Sequence, residues 1–477
     1  MIQLGRRDFL GGAAALMGLG GCRSLGIGAS KPNLTFGVIS DLHITTPEST
    51  TAFRRALAYF RDRKVDAVVV SGDLSDWGLM SGFKYVADAW YSVFPNDCAP
   101  DGHKVEKLFC TGNHDYDGYW YGDMTLDMHV QGYSENEALV KLGMKKCWEA
   151  AFHEPFAPVR RRTVKGYDFI SSEWKDGKDG FKEAEAWFAA NGKTLDPKKP
   201  FFVFTHYPFE GTTSCSGGDA YSGDIFKTMP NAVTFTGHCH WTLNDERSIW
   251  QGEYTAIAVP SMSYTTIPGG YENGSDRRNG KSSLSMPIIP AREFLREAQG
   301  YVVSVFDDRL EVERRDFTEG VEAAPAWIVT PPNAAASRYA FANSKKRTPV
   351  PQFPEWASVK TYTSNFETRN FSWTIMMMVE FPSAKVRGGR VFDYEVRVEM
   401  ENGTTAAVKR FLAPAFYRLE RDEPAVQRFA VDARDLPERG RYRLCVYPRN
   451  CFGVCGRPIA STMLESKPGK EKAKRFV

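Results

Sequence analysis

Four apolar, β-branched or aromatic runs, at residues 34–39, 67–70, 201–204 and 232–235, are each followed within a few residues by side chains that can hold a metal ion. A weaker run at 105–110 does the same. Short continuous apolar runs suit strands buried on both faces of a parallel sheet, and the ligand crevice of such a sheet lies just past the carboxyl ends of its strands. Between the runs the spacing changes to that of a helix: Phe53, Ala56, Leu57 and Phe60 fall at i, i+3, i+4 and i+7, Phe83, Val86, Ala87 and Trp90 repeat it, and residues 181–190 give a third helix. The alternation predicts α/β layering, closed by strands at 254–259 and by two alternating runs within 301–317 that turn at Asp307-Asp308.

A chain of 477 residues exceeds what one core usually serves, so two domains and a short leader are expected. Residues 1–22 read as an export signal. Arg6-Arg7 precedes Asp8-Phe9-Leu10, a glycine-diluted apolar segment follows, and Leu19-Gly20-Gly21-Cys22 closes it. The segment is too short to cross a bilayer. It resembles a twin-arginine signal ending in a lipobox, which implies a protein of the periplasm or cell envelope tethered through a lipidated Cys22. A formal net charge of +3 gives no case for a nucleic-acid partner. Eight of the nine cysteines follow Cys22, and an oxidising compartment permits disulfides; Cys98 with Cys110, and two of Cys445, Cys451 and Cys455, are the pairs expected first. Cys239, between two histidines, reads as a scaffold thiol, with a metal contact as the alternative.

The side chains that end the runs form an ordered set: Asp41-Leu42-His43, Gly72-Asp73, Gly112-Asn113-His114-Asp115, Thr205-His206 and Gly237-His238-Cys239-His240. Singly, each is an ordinary turn or surface loop. Together they hold five of the chain's eight histidines. Over residues 31–320 the set resembles the calcineurin-like metallophosphoesterase superfamily. The fold it implies is a four-layer α/β/β/α sandwich, followed here by a small all-β sandwich.

The resemblance implies a role for each residue. Asp41, His43 and His240 would hold one metal ion, Asn113, His206 and His238 the other, and Asp73 would bridge them. A donor set this rich in imidazole suits two divalent transition metals such as Mn, Zn or Fe over Ca or Mg. The implied activity is hydrolysis of a phosphate ester by a metal-bridging hydroxide, with His114 as acid and Asp115 orienting its ring. Asp76 stands where purple acid phosphatases carry a tyrosine ligand, which argues against an iron-tyrosinate enzyme. Tyr116, Tyr119, Trp120, Tyr207 and Trp241 could line a groove, which inclines the reading from monoester toward diester.

Residues 321–351, rich in Ala, Pro, Asn and Ser, read as a linker. Residues 352–465 carry short alternating runs at 374–379, 392–400, 405–411, 427–431 and 442–447, as in an immunoglobulin or fibronectin-III-like domain, and 466–477 form a basic tail. The competing expectation is a cell-surface binding protein on a catalytically silent scaffold.

Overall fold

The computed structural model describes residues 31–116, 138–213, 219–273, 298–330, 337–367, 373–417 and 423–466. The leader with Cys22, Tyr119, Trp120 and the basic tail lie outside them.

The first domain holds two six-stranded sheets. The first gathers β1 (Leu34–Ile39), β2 (Ala67–Ser71) and β3 (Glu106–Cys110), which run parallel, and its far side is built from later strands. The second contains β4 (Val159–Val164), β5 (Tyr167–Ser172), β6 (Phe201–Thr205), β7 (Ala232–Thr236), β8 (Ile249–Gln251) and β9 (Thr255–Ala258), in the order β4-β5-β6-β7-β9-β8. β10 (Gln299–Val305), β11 (Leu310–Asp316) and β12 (Val321–Val329) complete the first sheet in the order β12-β11-β10-β1-β2-β3.

Side-chain alternation sets the layers. On β1, Phe36 and Val38 face the second sheet, where Phe36 meets the rings of Phe169 and Phe202 at 5.0 and 4.8 Å, while Ile39 joins the helical side. α1 (Thr51–Asp62) and α2 (Met80–Val93) cover the outer face of the first sheet with the residues their spacing singled out. α3 (Met144–Phe152) adds Trp148 and Phe152 to that layer, and α4 (Lys182–Asn191) covers the second sheet with Ala184 and Phe188. The order is therefore helix, sheet, sheet, helix.

The expected linker needs correction. Val321–Val329 pairs with β11 as an edge strand, and α5 (Phe341–Arg347) follows. Pro325 within the run suggests a break, but an edge strand tolerates proline. Trp327 is buried between the sheets, so this strand belongs to the first domain.

The C-terminal region is all β. β13 (Lys360–Glu367), β14 (Trp373–Pro382) and β17 (Val426–Asp432) make one sheet. The other is β16 (Thr405–Leu412), β15 (Asp393–Met400) and β18 (Arg441–Arg449), with β19 (Ile459–Ala460) and β20 (Leu464–Glu465) on β18. Val379, Phe381, Val396, Phe411, Phe429 and Val446 fill the space between them. β13, a polar edge strand, is the one strand of its sheet that apolar alternation did not reveal.

The expected disulfides also need correction. Cys98, Cys110, Cys445, Cys451 and Cys455 are free thiols. Cys110 points into the apolar layer between the sheets, with Sγ 3.6 Å from Val70 O. Cys239, read as a thiol, is disulfide-bonded.

Candidate metal centre

The crevice lies at the carboxyl ends of β1, β2, β3, β6 and β7, where the two sheets meet. The turns after β1, β2 and β7 have an uncommon backbone: Asp41, His43, Asp73, His238 and His240 have φ of 52°, 46°, 50°, 70° and 51°. Non-glycine residues adopt this left-handed region rarely, and each costs about 1–3 kcal/mol, so such residues gather where geometry is imposed by function. Two glycines make the approach possible. Gly72, at φ 97°, has no room for a Cβ against the His206 ring, and a Cβ on Gly112 would overlap the Asp73 carboxylate.

Ligating atoms of Asp41, His43, Asp73 and His240 lie within 4.8 Å of one another, all four residues buried. His240 Nε2 is 2.9 Å from Asp41 Oδ1, and His43 Nε2 is 3.3 Å from His240 Nε2. Asp73 Oδ2 lies 3.7 Å from His43 Nε2 on one side and 3.2 Å from His206 Nε2 on the other. His206 Nε2 also meets Asn113 Oδ1 at 2.9 Å. Two imidazole nitrogens facing each other with carboxylates around them form a donor set that a cation satisfies and that protons satisfy poorly. The residues fit two ions sharing Asp73.

The histidine tautomers follow from their outer nitrogens. His43 Nδ1 is 2.7 Å from Asp76 Oδ1, His206 Nδ1 is 2.9 Å from Ser71 O, and His240 Nδ1 is 3.1 Å from Tyr264 O. Donating Nδ1–H to these oxygens leaves each Nε2 lone pair for the centre. His238 is placed differently. Its backbone N–H donates to Asp41, its ring lies against Tyr207 at 4.4 Å and His206 at 5.2 Å, and its Nε2 is 3.5 Å from Asp219 Oδ2.

Burial alone would raise the Asp41 carboxyl, but His240 and His206 draw it down to about 2. Asp73 falls well below the usual carboxylate range for the same reason, with burial opposed by His206, His114 and His43. Burial disfavours a charged His206, yet Asp73 and Asp41 bring its ring up to about 9.

His114 stands at the rim, its ring edge-on to His43 at 4.6 Å. Its Nδ1 is 2.9 Å from Asp76 O and 3.3 Å from Asp76 Oδ1. Asp115, expected to orient this ring, is a correction. Its carboxylate accepts the N–H groups of Gly112 at 2.9 Å, Leu74 at 3.2 Å and Ser75 at 2.7 Å, clamping the β2 turn to the β3 turn. Burial, with Asp73 adding to it, raises this carboxyl to about 8. The outer carboxylate for both His43 and His114 is Asp76, which the sequence marked only as a departure from a subfamily.

A cavity of about 430 Å³ is lined by Tyr116, Phe156, Trp174, Lys175, Asp176 and Glu183, among others, and is linked to His238 through the rings of Trp174 and Tyr207. Of the aromatics expected to line a groove, Tyr116 lines this recess and Tyr207 reaches it through Trp174 at 5.8 Å. Trp241 does not line it; its ring is buried near the Arg247 guanidinium.

Residues 34–241 match the sequence model of the calcineurin-like phosphoesterase family. No curated protein matches the chain. Among solved structures, a dimetal phosphatase from Danio rerio is 11% identical, with a TM-score of 0.37 over 63% of this chain and 100% of that one. An archaeal phosphodiesterase is 11% identical, with a TM-score of 0.26 over 59% of this chain and 100% of that one. The matched span contains all seven expected ligands.

Proposed function

We propose that this chain, which carries the calcineurin-like phosphoesterase domain of a metal-dependent phosphoesterase, is an exported hydrolase of phosphoric esters with two metal ions at the sheet ends. The observation that carries the reading is the placing of Asp73 Oδ2 between His43 and His206. Asp41, His43 and His240 would hold one ion, and Asn113, His206 and His238 the other. When bound, two transition-metal dications supply Lewis acidity to phosphoryl oxygens and lower the pKa of a coordinated water.

The protein's own groups do the rest. Asp41 and Asp73 bring two negative charges against the four of two dications, leaving net positive charge to attract a phosphate ester. His114, protonated, would pair with Asp76 through Nδ1 and give its other proton to the leaving alkoxide. The cavity beyond Tyr116 has room for an ester arm, which favours a diester over a monoester. Export and a lipid tether through Cys22 rest on the leader sequence alone.

The test is hydrolysis of bis(p-nitrophenyl) phosphate with metal content measured in parallel. Asp73→Ala should lose metal and activity together. His114→Ala should keep its metal while turnover falls by about 10²- to 10⁴-fold. A wild-type chain that binds no transition metal and cleaves neither aryl diesters nor aryl monoesters would sink the proposal.

A further inference from the structure

We propose that the C-terminal β domain is part of the metal centre. It anchors the segment 261–273 as a strap, and this strap holds His240 in place, with Asn273 as the positioning residue. The inference rests on the two-metal reading above.

The strap has no regular secondary structure, so its position is set from its two ends. At the near end Ser261 Oγ donates to Asp41 O at 3.1 Å and accepts the Tyr264 N–H at 3.2 Å. Tyr264 O accepts from His240 Nδ1 at 3.1 Å, and the Thr266 N–H donates to His240 O at 2.8 Å. The Tyr264 ring lies 4.2 Å from the His240 ring and 5.5 Å from that of His43, walling this side of the centre.

The far end is written into the β domain. Ile267 is buried with Phe392, Leu412, Phe416 and Tyr417. The Glu272 N–H donates to Arg410 O at 2.9 Å. Asn273 then mimics a neighbouring strand: its Nδ2 donates to Leu412 O at 2.9 Å and its Oδ1 accepts the Leu412 N–H at 2.8 Å, both buried. Without Asn273 the last backbone pair of β16 is left without partners, and the strap loses its best-defined fixed point.

The physical consequence concerns His240. An imidazole that ligates metal through Nε2 depends on the group holding its Nδ1–H, and loss of such outer partners lowers metal affinity by about 10- to 100-fold. Here that group is a backbone carbonyl on the strap, so its precision depends on the β domain.

Co²⁺ titration of the full chain, followed by visible absorption, tests this with two readouts, affinity and band shape. Asn273→Ala and Ile267→Ala should each weaken Co²⁺ binding by about tenfold and alter the spectrum. Val431→Ala, in the β-domain core away from the strap, should lower the melting temperature and leave affinity and spectrum unchanged. The strap is overturned if Asn273→Ala and Ile267→Ala bind Co²⁺ as the wild type does, or if Val431→Ala weakens binding as much as they do. A wild-type chain that takes up no Co²⁺ overturns the metal centre itself, and the strap with it.

Discussion

At the scale of single residues, the outer shell decides how well the centre is held. Asp76 serves two rings at once, through Oδ1 to His43 at 2.7 Å and to His114 at 3.3 Å. Asp76→Ala should therefore lower kcat/KM by about 10- to 100-fold and loosen metal, while Asp76→Asn, which keeps an acceptor for His43, should lose less. Steady-state kinetics with metal analysis on both variants checks this. The cluster of Asp41, His43, Asp73 and His240 was legible because each of these residues follows the end of a strand run, where periodicity and chemistry agree. Asp76, Asp219 and Tyr264 were not, because their roles arise from contacts between turns distant in the chain. Asp115 was misjudged for a related reason. Adjacency to His114 suggested a partner, but a side chain within a tight turn is best placed to accept the turn's own N–H groups.

At the scale of elements, the turns that carry ligands are packed too closely for ordinary side chains. Gly72→Ala should destabilise the fold by more than about 1–2 kcal/mol, the usual cost of the left-handed conformation alone, because the added methyl also meets the His206 ring. Urea unfolding measures it, and an unchanged midpoint would contradict the packing described. α1 and α2 over the first sheet were readable in their buried residues, since burial on one face imposes the 3.6 period; α3 in the same layer was not. β12 and β13 were missed because edge strands carry a weak signature. One is interrupted by Pro325 and the other is polar, with Tyr362 47% exposed.

At the scale of the whole molecule, the two domains share an apolar seam in which Ile267 joins Phe392, Phe416 and Tyr417. Calorimetry should give one unfolding transition for the wild type. Phe416→Ala, a truncation that costs about 3–5 kcal/mol in a core, should separate it into two. A second expectation concerns pH. Burial raises the Glu423 carboxyl from 4.5 to about 7, against the pull of Arg390. Between those values the folded chain keeps a proton that the unfolded chain has lost, so this group's stabilisation is fully present below pH 4.5 and declines as pH rises toward 7. The loss is on the order of 3 kcal/mol. Glu423→Gln should remove that part of the slope and melt higher than the wild type at pH 8. The seam was invisible in the sequence, where residues 261–273 carry neither a strand nor a helix period that would mark a partner.

The left-handed turns at the strand ends carry a liability as well as a geometry. Five positions of the expected site, Asp41, His43, Asp73, His238 and His240, hold side chains that their own backbone resists, so the geometry there comes at a cost in stability. Asp73→Gly should consequently outlast Asp73→Ala on heating by about 1–2 kcal/mol, a difference that thermal unfolding of the two variants reads directly. A lineage released from catalysis would be free to drift toward glycine there, and its thermostability would record the retirement.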